Sequence, residues 1–233
     1  MIQTKYQREV FEKYGHTFAG LDATHNTTHY ENTSLFTVVV RDRWGHGEPK
    51  SRFPFHGMRE LIAIFNQGCP VAWMISSNAT EITIDYFINT LRLRNPKVIP
   101  AKFMSDFDKA QINVIKRCYP ESQLFLCWWH DLHAWQQHLV IVHFQELWKL
   151  LKGWIRVTEK SEFEDCWEKI QQLAPASFIE YILEYWMPVR HMWSATERKD
   201  RTIFEISETN MLVEAYVFSN LSMINHRLIK FYS

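Results

Sequence analysis

Three carboxylates in this chain stand where they could do chemistry together. Asp22 closes the short apolar stretch Phe18, Ala19 and Leu21, Asp106 closes "KFMSDFD", and Glu214 lies near the first turn of a late helical segment, "ETNMLVEA". They are 84 and 108 residues apart, so only a fold can bring them together. In an open α/β sheet, sites form at strand ends, and adjacent strands are close enough for two acids to share a metal. Three clustered acids repel one another, and divalent cations relieve that repulsion. A pair of Mg²⁺ ions about 4 Å apart would activate a water or a 3′-hydroxyl and steady the leaving oxygen of a phosphodiester. Each acid also has a plainer role. Asp22 could start a turn with Asn26 and the neighbouring threonines, Asp106 could be a loop acid before a cap at Asp108, and Glu214 could suit the positive end of its helix. Their joint placement favours the chemistry.

The elements that must position these acids are readable from periodicity. Strands are expected at 18–24, at 35–40 (LFTVVV), at 71–76 (VAWMIS), at 101–105 (AKFMS) and at 123–126 (QLFL). Between the third and fourth, residues 80–93 switch to helical spacing, with Ile84, Phe87, Ile88 and Leu91 on one face. Asp108-x-x-Gln111 has the form of a capping box opening a helix to about Arg117. The order β-β-β-α-β-α-β predicts a mixed α/β core over residues 17–129, preceded by a remnant of another region at 1–16. From His130 the pattern is helical: Leu139, His143, Leu147, Leu150, Leu151 and Trp154 share a face, and further helices are expected at 161–173 and 175–186. An all-helical region is therefore expected over 130–200, with a charged link at 194–201. Residues 201–233 then hold a last helix starting near Asn210. Residues 48–68 separate a pair of strands that otherwise look like a hairpin, and hairpin loops are usually two to five residues. This stretch reads as an insertion, a flexible loop or a gene-model artefact.

Composition sets outer bounds. The 233 residues are 46% hydrophobic with ten Trp, enough for a packed core, and the net formal charge is zero. Disorder is thereby disfavoured, and so is a basic DNA-binding surface, unless one lies in a local patch. Four scattered cysteines, Cys69, Cys118, Cys127 and Cys166, indicate a reducing compartment. No apolar h-region opens the chain and no run approaches a membrane span, so a soluble, intracellular protein is expected.

Five strings in order, "LDATHNT", "CPVAWMIS", "FMSDFDKAQINVIKRCYP", "LFLCWWHDLHAW" and "SETNMLVEA", resemble the transposases of Mutator-like elements. That resemblance implies an RNase H-like mixed sheet flanked by helices, with an all-helical insertion before the last catalytic helix. It implies a D-D-E triad of Asp22, Asp106 and Glu214 holding two Mg²⁺ or Mn²⁺ ions. It further implies cleavage and strand transfer at terminal inverted repeats, target DNA as a partner, a homo-oligomer when active, and a nuclear location. Cys127-x-x-His130 matches a Cys-x-x-His of the same transposases. Two ligands do not make a structural zinc site, so a structural or positioning role is favoured over zinc there. The run Trp128, Trp129 and Trp135 could stack on an unpaired base, but is assigned to the core.

The departures are the 48–68 segment and a tail after Glu214, "YVFSNLSMINHRLIKFYS", that reads as cut or altered. They leave a second reading, a domesticated or relic transposase-derived DNA-binding or regulatory protein without catalysis. A third is an unrelated metal-dependent nuclease or phosphatase on a similar sheet.

Overall fold

The computed structural model describes residues 1–25, 33–41 and 69–198. Glu214, the 48–68 segment and the helix expected from Asn210 lie outside the described residues. Two compact units divide the chain between Leu124 and Phe125.

The first unit is built on a sheet of order β3-β2-β1-β4-β5. Its strands are β1 (Phe18–His25), β2 (Ser34–Val40), β3 (Cys69–Ser76), β4 (Lys102–Ser105) and β5 (Gln123–Leu126). β1 pairs antiparallel with β2 and β2 antiparallel with β3, whereas β1 pairs parallel with β4. β2 is buried almost throughout, as its run of β-branched residues demands when both faces are covered. This is the mixed sheet flanked by helices that the sequence predicts.

Helix α2 (Glu81–Arg94) buries Ile84, Phe87, Ile88 and Leu91, the four residues its periodicity picks out. Phe87 meets Phe36 of β2 with ring centroids 6.5 Å apart. Thr80 caps its first turn by accepting from the Thr83 amide. Helix α3 (Lys109–Cys118) starts at Asp108, whose carboxylate accepts from the Gln111 amide at 2.7 Å. Only this half of the expected capping box forms.

Residues 1–16, assigned from sequence to a remnant of another region, carry helix α1 (Lys5–Tyr14) within this unit. Thr4 and Gln7 form a reciprocal capping box, and the Gln7 amide also donates to the Pro70 carbonyl of β3 at 3.2 Å. Ahead of the helix, Ile2 and Trp73 exchange two backbone hydrogen bonds, extending the sheet past β3. Gly15 ends α1, where an added Cβ would come within 2.6 Å of the Phe11 ring.

The second unit is helical: α4 (Trp128–Gln137), α5 (Gln145–Trp154), α6 (Lys160–Leu173), α7 (Ala176–Tyr181), a π-helical turn at Ile182–Trp186, α8 (Arg190–Trp193) and α9 (Ala195–Arg198). The single face expected from Leu139 to Trp154 is interrupted by a 3₁₀ turn at Ile141–His143, where Val140 and Val142 are exposed. The core here is indole. Trp135 lies 5.3–5.8 Å from Trp154, Trp186 and Trp193, centroid to centroid. The stretch read as a charged link holds a buried arginine. Arg198 donates to the carbonyls of Leu126 (2.8 Å) and Met192, and its guanidinium lies over the rings of Phe125 and Trp128. Among the described residues, no helix is long and apolar enough to cross a membrane.

Candidate functional site

Asp22 lies inside β1, three residues before the strand ends at His25, and not in a turn. Its side chain is 3% exposed. The Thr24 hydroxyl, two residues on and therefore on the same face of the pleat, donates to Asp22 Oδ2 at 2.9 Å. Directly across the ladder stands Thr37 of β2, also buried, and beyond it Trp73 of β3. The Thr24 hydroxyl gives the acid a hydrogen-bond donor on its own face of the strand. Phe36, Val38 and Leu21 serve the opposite, apolar face.

Asp106 is half-buried and follows β4 directly. Its carbonyl accepts from the Asp108 amide at 2.7 Å and from the Ser105 hydroxyl at 3.2 Å. This tight turn ends β4 and hands the chain to the cap of α3, so the acid is held between two elements.

The parallel ladder relates the two acids. Phe18 pairs with Lys102, Ala19 with Phe103 and Gly20 with Met104, a constant offset of 84. The same offset carried two residues further sets Asp106 level with Asp22. Neighbouring strands are about 4.8 Å apart, and in-register residues of parallel strands face the same way. β1 and β4 are parallel, so both acids lie toward the same edge of the sheet, where open α/β sheets build their sites. Hard oxygen donors so placed suit Mg²⁺ or Mn²⁺. Glu214, the third expected ligand, lies outside the described residues.

Cys127 and His130 open α4 in the second unit. Cys127 is the N-cap residue, its carbonyl accepting from the Asp131 amide at 2.9 Å, and its side chain makes no capping bond. Its sulphur and a His130 ring nitrogen lie within 4.8 Å of one another. They supply two of the four donors that structural zinc requires. Of the aromatic run, Trp128 and Trp135 are buried as expected. Trp129 is not: it is 45% exposed, stacked on His133 and edge-on to His130. Helical spacing explains the difference, since residues 128, 131 and 135 share the buried face and 129 falls off it.

Sequence reasoning passes over Thr24 as the hydrogen-bond partner of Asp22 and Thr37 as its neighbour across the ladder. The signal for Thr24 is present: Asp-x-Thr inside a strand puts both side chains on one face. Both threonines fall within expected strands, at 18–24 and 35–40, but the contacts they make with Asp22 are not read from either strand alone.

No curated protein matches the chain. One family model matches residues 1–125, that of the zinc finger SWIM domain-containing protein 1/3 RNaseH-like domain. The matched span ends one residue past the boundary of the first unit and takes in the sheet, α1, α2 and α3. It covers more than half of the chain, and the mixed five-stranded sheet is of the RNase H-like kind. The chain thus belongs to the family of the RNaseH-like domain of zinc finger SWIM domain-containing proteins 1 and 3.

Proposed function

We propose that this RNase H-like domain is a metal-dependent DNA strand-cleaving and strand-transferring domain of the Mutator-like transposase type. The observation that carries the proposal is the 84-residue offset between β1 and β4, which levels Asp22 with Asp106. Glu214 is proposed as the third carboxylate on the basis of the resemblance alone. DNA is the proposed substrate and the nucleus the proposed location.

Asp22 and Asp106 would hold the Mg²⁺ or Mn²⁺ ions, whose chemistry is to activate the attacking hydroxyl and stabilise the leaving oxygen. The chain's own contribution is positioning. The Thr24 hydroxyl fixes the rotamer of Asp22 through its 2.9 Å hydrogen bond. The turn through Ser105, Asp106 and Asp108 fixes the backbone from which the second acid projects. Burial of Asp22 keeps water from competing for the carboxylate.

The test is nicking of supercoiled plasmid by the 233-residue chain with Mg²⁺, Mn²⁺ or EDTA. Cleavage is expected only with metal, and Asp22→Ala or Asp106→Ala should reduce it by about a thousandfold. Metal-dependent cleavage that survives both substitutions would overturn the site. DNA binding without cleavage, indifferent to both substitutions, would select the relic reading.

A further inference from the structure

Helix α2 is apolar on two sides. One is its core face. The other comprises Ile82, Tyr86 and Leu93, which are 83%, 62% and 71% exposed, together with exposed Asn89. Their spacing of i, i+4, i+7 and i+11 aligns them in one stripe along the helix. Scattered exposed apolar residues are ordinary, but an aligned set on a helix surface is the pattern of a helix that meets another helix.

We propose that this stripe is the contact face of a homodimer in which α2 packs antiparallel against α2 of a second copy. The order of residues in the stripe favours this occupant. With a two-fold axis across the middle of the stripe, Ile82 of one copy faces Leu93 of the other. By the same operation, Tyr86 faces Asn89. Apolar ends thus meet apolar ends, while the phenol and the amide meet at the centre, where they can hydrogen-bond. The stripe is self-complementary, as an isologous interface requires.

Charge gives the same orientation. On one flank of the stripe α2 carries Glu81 and Asp85 in its first half and Arg92 in its last turn. An antiparallel two-fold pair brings like flanks together, setting the acids of each copy beside Arg92 of the other, whereas a parallel pair would set like charges at the same level. Arg117 of α3 already lies 3.0 Å from Glu81 and 2.7 Å from Asp85, and Glu121 lies 3.7 Å from Arg92. The intermolecular charges would join these pairs at the rim of the contact. The apolar stripe and its rim are confined to the first unit, so the dimer needs nothing from the helical unit. A contact centred on one 14-residue helix is small, and its dimer should dissociate on dilution.

Sedimentation equilibrium over a concentration series tests the proposal. The wild-type chain should move from 28.0 kDa toward twice that mass as concentration rises. Ile82→Glu and Leu93→Glu should each weaken association by about tenfold or more. Their circular dichroism and melting temperature should stay unchanged, because both positions are exposed. Tyr6→Glu, equally exposed but on α1, should leave association as it is. Orientation is read by disulfide trapping against the background of the native cysteines. In the antiparallel pair, residues 89 of the two copies are offset by about 4.5 Å along the helix and residues 82 by about 16 Å. Asn89→Cys should therefore cross-link readily and Ile82→Cys should not. A monomer at every concentration, a dimer indifferent to both glutamates, or equal cross-linking at 82 and 89 would overturn the proposal.

Discussion

The two units solve the same packing problem with different side chains. In the first, cohesion comes from a backbone ladder, and the core combines aliphatic residues such as Val38, Val39, Val71 and Leu21 with the rings of Phe11, Phe36, Phe87 and Phe103, without a tryptophan among the described residues. In the second there is no ladder among the described residues, and five large indoles fill the interior: Trp128, Trp135, Trp154, Trp186 and Trp193. Several also act as backbone ties. Trp128 donates to the Trp193 carbonyl, Trp154 to that of Phe163 and Trp193 to that of Trp186. A sheet fixes its strands through main-chain hydrogen bonds, and side chains then select the register. Short helices share no main-chain ladder, so side chains must supply bulk, specificity and most of the ties between them.

This contrast says where each kind of damage should appear. The largest separation is between Asp22→Ala and Trp193→Ala. The first should remove cleavage while leaving the far-ultraviolet spectrum unchanged. The second should cost about 3–5 kcal/mol of stability, measured by urea unfolding, because a fully buried indole and its carbonyl tie are lost together. If Trp193→Ala unfolds no more readily than wild type, the indole core is not what holds the helices.

A smaller effect is expected at Arg198. Replacement by Met keeps much of the volume but leaves the Leu126 and Met192 carbonyls without their donor. Denaturant unfolding should show a loss of about 2 kcal/mol. An unchanged midpoint would mean that apolar contact with Phe125 and Trp128 is the greater part of its role.

The smallest effect belongs to the exposed clamp between α2 and α3. The Arg117 guanidinium holds the Glu81 carboxyl below its usual range, chiefly by hydrogen bonding and with help from Asn113. A folded-state value below the unfolded one of about 4.3 stabilises the fold above that pH. The contribution disappears as pH falls through the depressed value. Arg117→Ala should therefore lower the melting temperature slightly at pH 7, and the difference from wild type should close at acidic pH. A gap that persists in acid would assign the loss to packing of the arginine stem instead.

Legibility in the sequence follows the same division. The strands and α2 are readable because sequence pattern reports burial: short apolar, β-branched runs for strands covered on both faces, a spacing of 3.6 for a one-sided helix. The four buried residues of α2 come from spacing alone. Helix α1 escapes a reading by pattern although its capping signal, Thr-x-x-Gln, stands at residues 4–7. Its few buried residues, Gln7, Val10 and Phe11, make a weak apolar pattern. Arg198 escapes because composition marks a run such as "SATERKDR" as solvated, while burial of one arginine depends on carbonyls far away in sequence. Asp106 is legible as the residue that closes its strand, whereas Asp22 lies inside β1, and the alignment of the two acids is not legible at all. Register is a property of the pair of strands, and neither strand's sequence contains it.

That ladder also frees the chain between the two acids to change in length. Asp22 and Asp106 are held level by three paired positions on β1 and β4, and nothing in that pairing counts the residues connecting the strands. Segment 48–68 could be lengthened, shortened or deleted over evolution, and the number 84 would change while the pairing of β1 with β4 stayed as it is. A sequence comparison that aligns by spacing would then lose one of the acids. One that aligns strand against strand would keep both.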